Sequence, residues 1–216
     1  MIPEFTQLQL AALTVAADRP LLICDVDEVV VHFTSSFENY IGKRGLYLET
    51  SSFALNGNIR RQDSRLGLTS DETNVLIDDF FVDCTEHLPA IVGAIDALNA
   101  LAASTSVVML TNLPHHARDK RIINLQKHGI SFPVITNSGP KGPAIRHLAS
   151  QTKGPVVFVD DSPGFIASSF EFAPEVHLVH FLHDERFARH LAPLPYVSMT
   201  TGNWAEAQPH IARLLG

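Results

Sequence analysis

Residues 21–31 read LLICDVDEVVV. Four apolar residues run into Asp25, a second carboxylate follows at Asp27, and three valines come close behind. A short apolar run with polar bounds reads as a strand buried on both faces, the pattern of a parallel sheet. Carboxylates just beyond the carboxyl end of such a strand lie where open α/β sheets bind their ligands. Two acids this close repel each other unless something positive holds them, and oxygen ligands of this kind suit a hard divalent cation, magnesium. A strand that merely ends in a polar turn has the same local pattern, so the decision rests on the rest of the chain.

Downstream, apolar runs and helical periodicities alternate. The spacing predicts a helix over 89–101, a buried strand at 107–110 ending in Thr111-Asn112, and a helix from Pro114 that stops at Gly129. Strands are expected at 132–135, 155–159 (ending in Asp160-Asp161) and 176–182, with a helix from Lys141-Gly142-Pro143 through Leu148 and a closing helix over 204–215. Upstream, residues 4–17 read as an amphipathic helix. This alternation predicts an α/β fold, a doubly wound, Rossmann-like parallel sheet. Residues 33–84 break the pattern. They are rich in Ser, Asn, Gly and Arg, with short strands expected at 46–50 and 53–55, a turn at Asn56-Gly57, and a capped helix from Ser70. They are expected to form a small cap insert over the first strand's carboxyl end, leaving 1–32 and 85–216 as the core.

The 216 residues are 45% hydrophobic and 18% charged, enough apolar surface for one well-buried domain. A net charge of −7 argues against general nucleic-acid or anionic-membrane binding. No apolar run approaches the roughly 20 residues of a membrane span. Residues 1–20 carry acids and no basic leader, and the two cysteines, Cys24 and Cys84, read as free core thiols. A cytoplasmic location is expected.

Three strands thus end in polar residues, at Asp25-Val26-Asp27, Thr111-Asn112 and Asp160-Asp161, and Lys141 opens a helix between the last two. In a parallel sheet these ends converge, offering a nucleophile, an acid, hydroxyl and amide donors, a cation and metal ligands. Phosphoryl transfer through a carboxyl-phosphate needs that set. Taken singly, the residues have ordinary readings: Thr111 as a helix cap, Lys141 as a solvated lysine, Asp78-Asp79 as an exposed helix face. His177, His180 and His183 hint at a metal, although their spacing alternates faces on a strand. His115 or His116 could touch substrate, and Arg60, Arg61 and Arg65 could greet an anionic tail. Ser138 to Gly142 suggests a phosphate loop but lacks its spacing.

Together the four segments resemble the motifs of the haloacid dehalogenase (HAD) superfamily. Asp25-Val26-Asp27-Glu28-Val29 resembles the first, DxDx(T/V); Leu110-Thr111-Asn112 the second; Lys141 the third; Val159-Asp160-Asp161-Ser162-Pro163 the fourth. The match covers about residues 20–183, with the insert unassigned. The resemblance implies that Asp25 attacks phosphorus and that Asp27 is the general acid and base. It implies that Thr111 and Asn112 hold the phosphoryl oxygens with Lys141, and that Mg2+ takes Asp25, the Asp27 carbonyl and Asp161, with Asp160 behind or beside them. Glu28 departs from the glycine of many members and is expected at the pocket mouth, where it would repel very anionic substrates.

The expected function is a magnesium-dependent phosphatase acting on a small phosphorylated metabolite. The first motif also resembles that of deoxyribonucleotidases, pointing to a nucleoside monophosphate, and the fourth resembles phosphatases that accept phosphoprotein tails. The alternatives are a catalytically inactive binding module, which predicts an eroded motif, and a haloacid dehalogenase, which needs neither the metal nor Asp27.

Overall fold

The run that opens the motif forms β1 (Leu21–Cys24), with all four side chains enclosed. In the computed structural model, which describes residues 1–216, it stands inside a six-stranded sheet. The other strands of that sheet are β4 (Ser106–Thr111), β5 (Val134–Thr136), β6 (Val156–Asp160), β7 (His177–Phe181) and β8 (Met199–Thr201). A separate antiparallel ribbon pairs β2 (Leu46–Leu48) with β3 (Ile59–Arg61). The sheet order is β5-β4-β1-β6-β7-β8, and every neighbouring pair is parallel. The chain builds β4 and β5 on one side of β1, then returns to add β6, β7 and β8 on the other. The order therefore reverses at β1, and the crevice at such a reversal is where open sheets hold ligands.

Strand alternation divides the core. Leu22 and Cys24 of β1, Val107 and Met109 of β4 and Val157 and Val159 of β6 face one layer. It is closed by α4 (Ala94–Ala102), α5 (Arg118–Lys127) and α9 (Trp204–Leu215). Leu21, Ile23, Val108, Leu110, Val156 and Phe158 face the other, closed by α1 (Glu4–Ala12), α6 (Gly142–Ala149) and α7 (Pro163–Phe172). A sheet apolar on both faces accounts for the unbroken hydrophobic runs of its strands. No helix is long and apolar enough to cross a membrane.

Residues 33–84 supply α2 (Thr34–Gly42), the ribbon and α3 (Ser70–Cys84), and no strand of the main sheet. Phe33, Phe37, Phe80 and Phe81 pack with ring centroids 5.2–5.7 Å apart and join the layer beneath Val29–Val31. The helix α8 (Glu185–Ala188) follows β7.

Several boundaries differ from the sequence expectation. Residues 89–93 are not helical: their backbone bonds to the segment after Asp27 (His32 N–H to Pro89 O, Ile91 N–H to Val30 O), and Gly93 turns at φ 82° before α4 begins. The segment 53–55 is a turn held by the Asn58 amide, which donates to Ser52 and Ala54 carbonyls, so the ribbon's second strand comes later, at β3. The cap of α3 is Thr69 rather than Ser70, because a capping box needs its acid three residues on, at Glu72. Helix α1 stops at Ala12, five residues short of the expected end. The edge strand β8 and helices α7 and α8 carried too short or too weak a pattern to be expected.

Candidate active site

At the carboxyl end of β1, Asp25 continues the ladder to β6 through its N–H to Val159 O (2.9 Å). Lys141, the residue before α6, is fully enclosed, and its ammonium lies 2.7 Å from Asp25 Oδ1 and 2.7 Å from Asp160 Oδ2. The close approach of α6 to α7 puts it there. A Cβ on Gly142 would fall 2.2 Å from the Ser168 carbonyl oxygen, so only glycine allows that contact. Burial works against the lysine's charge, but Asp160 and Asp25 outweigh it and raise its pKa.

The Asp160 Oδ1 accepts the Ser162 N–H at 2.8 Å, so both its oxygens are engaged. The adjacent Asp161 has no cation on its carboxylate. Burial, reinforced by the charges of Asp160, Asp25 and Glu28, pushes its pKa up. One carboxylate oxygen each from Asp25, Asp160 and Asp161 lies within 4.8 Å of the others.

Across the crevice Asp27 is held by a residue outside every motif. The Arg121 guanidinium, fully enclosed on α5, donates from Nη2 to Asp27 Oδ1 at 2.5 Å, and its Nη1 reaches Asn124 Oδ1 at 3.3 Å. Asn124 is anchored on the Leu88 carbonyl. Burial raises the Asp27 pKa and Arg121 opposes it. The Thr111 hydroxyl lies 3.4 Å from Asp27 Oδ2 and caps no helix. Asn112 is oriented by Asn137, whose amide donates to Asn112 Oδ1 (3.0 Å), and by the Gly139 carbonyl, which accepts from Asn112 Nδ2 (2.9 Å).

Glu28 sits in the left-handed region at φ 60°, the conformation glycine adopts most readily. Its carboxylate accepts the Thr34 N–H at 2.8 Å, occupying the start of α2. Behind the loop, the Trp204 indole donates to Val29 O at 2.8 Å, so α9 clamps the backbone that follows the two aspartates.

The remaining candidates disperse. His177 is exposed on β7, His180 is buried with Nε2 2.9 Å from the Asp161 carbonyl, and His183 bonds the Gly202 carbonyl, so the three share no metal site. His115 bonds Thr136 and His116 pairs with Asp78, both away from the crevice. Arg60 and Arg61 pair with Glu49 and Glu72, and Arg65 also stays off the crevice wall.

Above the carboxylates opens a cavity of about 320 Å3. Asp25, Asp27, Thr111, Asn112 and Asp161 form its floor, while Phe53, Leu55, Ile77 and Phe81 of residues 33–84 and Phe187 of α8 line its walls. No family model matches the sequence, and no curated protein matches it significantly. Solved structures do match. A HAD family hydrolase from Deinococcus radiodurans, solved with phosphate and sodium, superposes with a TM-score of 0.61 at 16% identity, covering 93% of this chain and 99% of its own. The chain has the haloacid dehalogenase fold.

A proposed HAD-hydrolase of Bacillus subtilis, YfnB, solved with magnesium, gives 0.57 at 14% identity over 91% and 99% of the two chains. A proposed phosphoglycolate phosphatase of Lactobacillus plantarum gives 0.56 at 11% over 88% and 98%. On the HAD fold of this chain, the donor set fits a hard divalent ion. Asp25, Asp27, Glu28 and Asp161 line the crevice with Asp160 behind them, against two enclosed cations, Lys141 and Arg121, while Asp184 on the lining is paired with Arg186. The oxygens nearest one another are carboxylates, and Asp161 has no protein partner for its charge.

Sequence reading missed Arg121 because an arginine within a polar helix carries no local mark of burial. Breaking a buried ion pair on one side costs roughly 3–5 kcal/mol, and Asp27 retains some access to water. Arg121→Met is therefore expected to destabilise by about 3 kcal/mol, or about 6–12 °C in Tm, and Arg121→Lys by less. A melting curve for Arg121→Met within about 1 kcal/mol of the parent would show the pair to be dispensable.

Proposed function

We propose that the chain is a magnesium-dependent phosphohydrolase that removes phosphate from a small phosphorylated metabolite by way of an aspartyl phosphate. The observation that carries this reading is the pairing of two carboxylates on one crevice, each with its own enclosed cation, Lys141 on Asp25 and Arg121 on Asp27. Asp25 attacks phosphorus while the bond to the leaving oxygen breaks. Asp27 gives that oxygen its proton, aided by the burial that raises its pKa. A water then attacks the phosphorylated Asp25, Asp27 takes its proton, and phosphate leaves with the carboxylate restored. Lys141 neutralises Asp25 and one non-bridging oxygen, and the Thr111 hydroxyl and Asn112 backbone amide hold the others.

The residues that would hold Mg2+ are Asp25, Asp161 and the Asp27 carbonyl, with Asp160 behind them fixing Lys141. A bound magnesium ion supplies charge neutralisation for the transferring phosphoryl group. Residues 33–84 act as the cap over a core of 1–32 and 85–216. The two free thiols, Cys24 enclosed and Cys84 half-buried, agree with a cytoplasmic protein. A haloacid dehalogenase would leave the Asp27–Arg121 pair and Asp161 without a task.

Chelation tests the reading. Stripped protein is expected to lose hydrolysis of p-nitrophenyl phosphate, to regain it with magnesium, and to be inhibited by beryllium fluoride plus magnesium, a mimic of the phosphorylated Asp25. Full activity in excess chelator, unmoved by magnesium, would overturn the mechanism.

A further inference from the structure

One part of the cavity lining is apolar. Phe33, Phe53, Leu55, Ile77, Phe81 and Phe187 form its wall, with the Phe53 and Phe187 rings edge to face at 5.9 Å. No lysine or arginine lines the cavity, and the charged residues among its lining are all acids. Of the arginines on residues 33–84 and around α8, Arg65 and Arg189 have no acid partner but do not line the cavity, and the other four are held by acids. Arg186 is held by Glu38 (2.8 Å to each oxygen) and Asp184 (2.7 Å), Arg60 by Glu49 (2.6 Å), Arg61 by Glu72 (2.7 Å) and Arg44 by Asp83 (3.5 Å). Two further polar groups at the rim are also engaged: the Glu28 carboxylate by the Thr34 amide, and the His183 Nδ1 by the Gly202 carbonyl.

We infer that the substrate's organic part is an apolar or aromatic group with no negative charge of its own, so that carboxylated, doubly phosphorylated and polyol phosphates are excluded. The inference rests on the phosphohydrolase reading of the same site. Three physical effects support it. A second anion in the cavity would face Glu28 and Asp184 with no cation to receive it. Sugar hydroxyls against the phenylalanine wall would lose water without gaining partners, the situation in which binding sites reject a ligand most strongly. A flat apolar group, by contrast, gains the edge and face contacts that aromatic walls favour. The volume lies at the small end of ligand pockets, which span about 300–1,000 Å3, so a single ring with a short linker suits it.

The test compares phosphomonoesters of alkyl alcohols, so that an activated phenol does not decide the result. With magnesium, 2-phenylethyl phosphate is expected to exceed glycerol 3-phosphate, glucose 6-phosphate and 2-phosphoglycolate in kcat/KM by about 100-fold or more. Phe53→Arg, at a half-buried position, is expected to cut the ratio of 2-phenylethyl phosphate to 2-phosphoglycolate at least about 10-fold. Calorimetry on the magnesium-loaded protein should show the same order for two non-hydrolysable probes, 2-phenylethylphosphonate binding more tightly than phosphonoacetate. Hydrolysis led by any of the three polar esters would overturn the inference and leave the phosphohydrolase reading standing. No hydrolysis of any ester, with the phosphonate preference intact, would overturn the phosphohydrolase reading and leave the binding preference. Equal or reversed phosphonate affinities would overturn the inference outright.

Discussion

Asp25→Asn is expected to abolish turnover, by on the order of 10^4- to 10^6-fold in kcat, the scale seen when a covalent nucleophile is removed. An amide cannot attack phosphorus as a carboxylate does, and no other carboxylate occupies its position. Asp27 is tied to Arg121 across the crevice, and Asp160 has both oxygens engaged. Folding should survive. Around Lys141 three acids, Asp25, Asp160 and Asp161, compete for one cation. Neutralising one leaves Lys141 its 2.7 Å contact to Asp160 and keeps an amide oxygen available where Asp25 Oδ1 stood. A thermal melt without metal should therefore match or exceed the parent's. Near-parental turnover in a purified, folded variant would remove Asp25 from the role of nucleophile.

Lys141→Met is expected to do the opposite to stability. It leaves two enclosed carboxylates facing each other with no cation between them. Such a loss costs roughly 3–5 kcal/mol, a fall of about 6–20 °C in Tm for a domain of this size. The phenylalanine rings beside the ammonium, Phe165 at 4.9 Å and Phe158 at 5.8 Å, would accept a methionine in shape, so the cost is electrostatic. Turnover should fall by about 10^2- to 10^3-fold, the usual loss on removing one group that stabilises developing charge. Magnesium should recover part of the lost stability, since it would supply charge to the same acids. A variant that melts with the parent and keeps more than a tenth of its rate would refute the structural and the catalytic roles together.

The motifs were legible because each depends on neighbours in sequence. An apolar run of four residues marks β1, its burial on both faces shows as the absence of alternation, and the acids follow within three positions. Once parallel pairing is inferred from the alternation of strands and helices, Asp25, Thr111, Asn112, Asp160 and Asp161 must share one sheet edge. Lys141 joined them by its place before α6, and the structure supports that grouping with two 2.7 Å contacts. The change of composition over 33–84 was visible too, although the phenylalanines of this segment pack into the same hydrophobic layer as β1. The segment's internal strands were not visible, because three-residue strands carry almost no periodicity.

What tertiary structure alone decided lies between residues far apart in the chain. Arg121 meets Asp27 across 94 positions, and Trp204 reaches Val29 across 175. Nothing local distinguishes an arginine enclosed on α5 from one in water. Phe53 and Phe187 wall the same cavity although one belongs to a polar loop and the other to a four-residue helix. The duties of the paired aspartates also separate only in space. Asp160 and Asp161 are equivalent in sequence and their carboxylates lie within 4.8 Å of each other, yet their surroundings differ. One turns inward to the ammonium of Lys141, and the other faces the crevice with its charge unmatched. The sequence by itself thus determined the sheet and its acidic edge. Only the fold decided which acid is paired, which residue holds Asp27, and what shape and polarity the cavity offers, because burial and ion pairing are set by long-range packing rather than by neighbours along the chain.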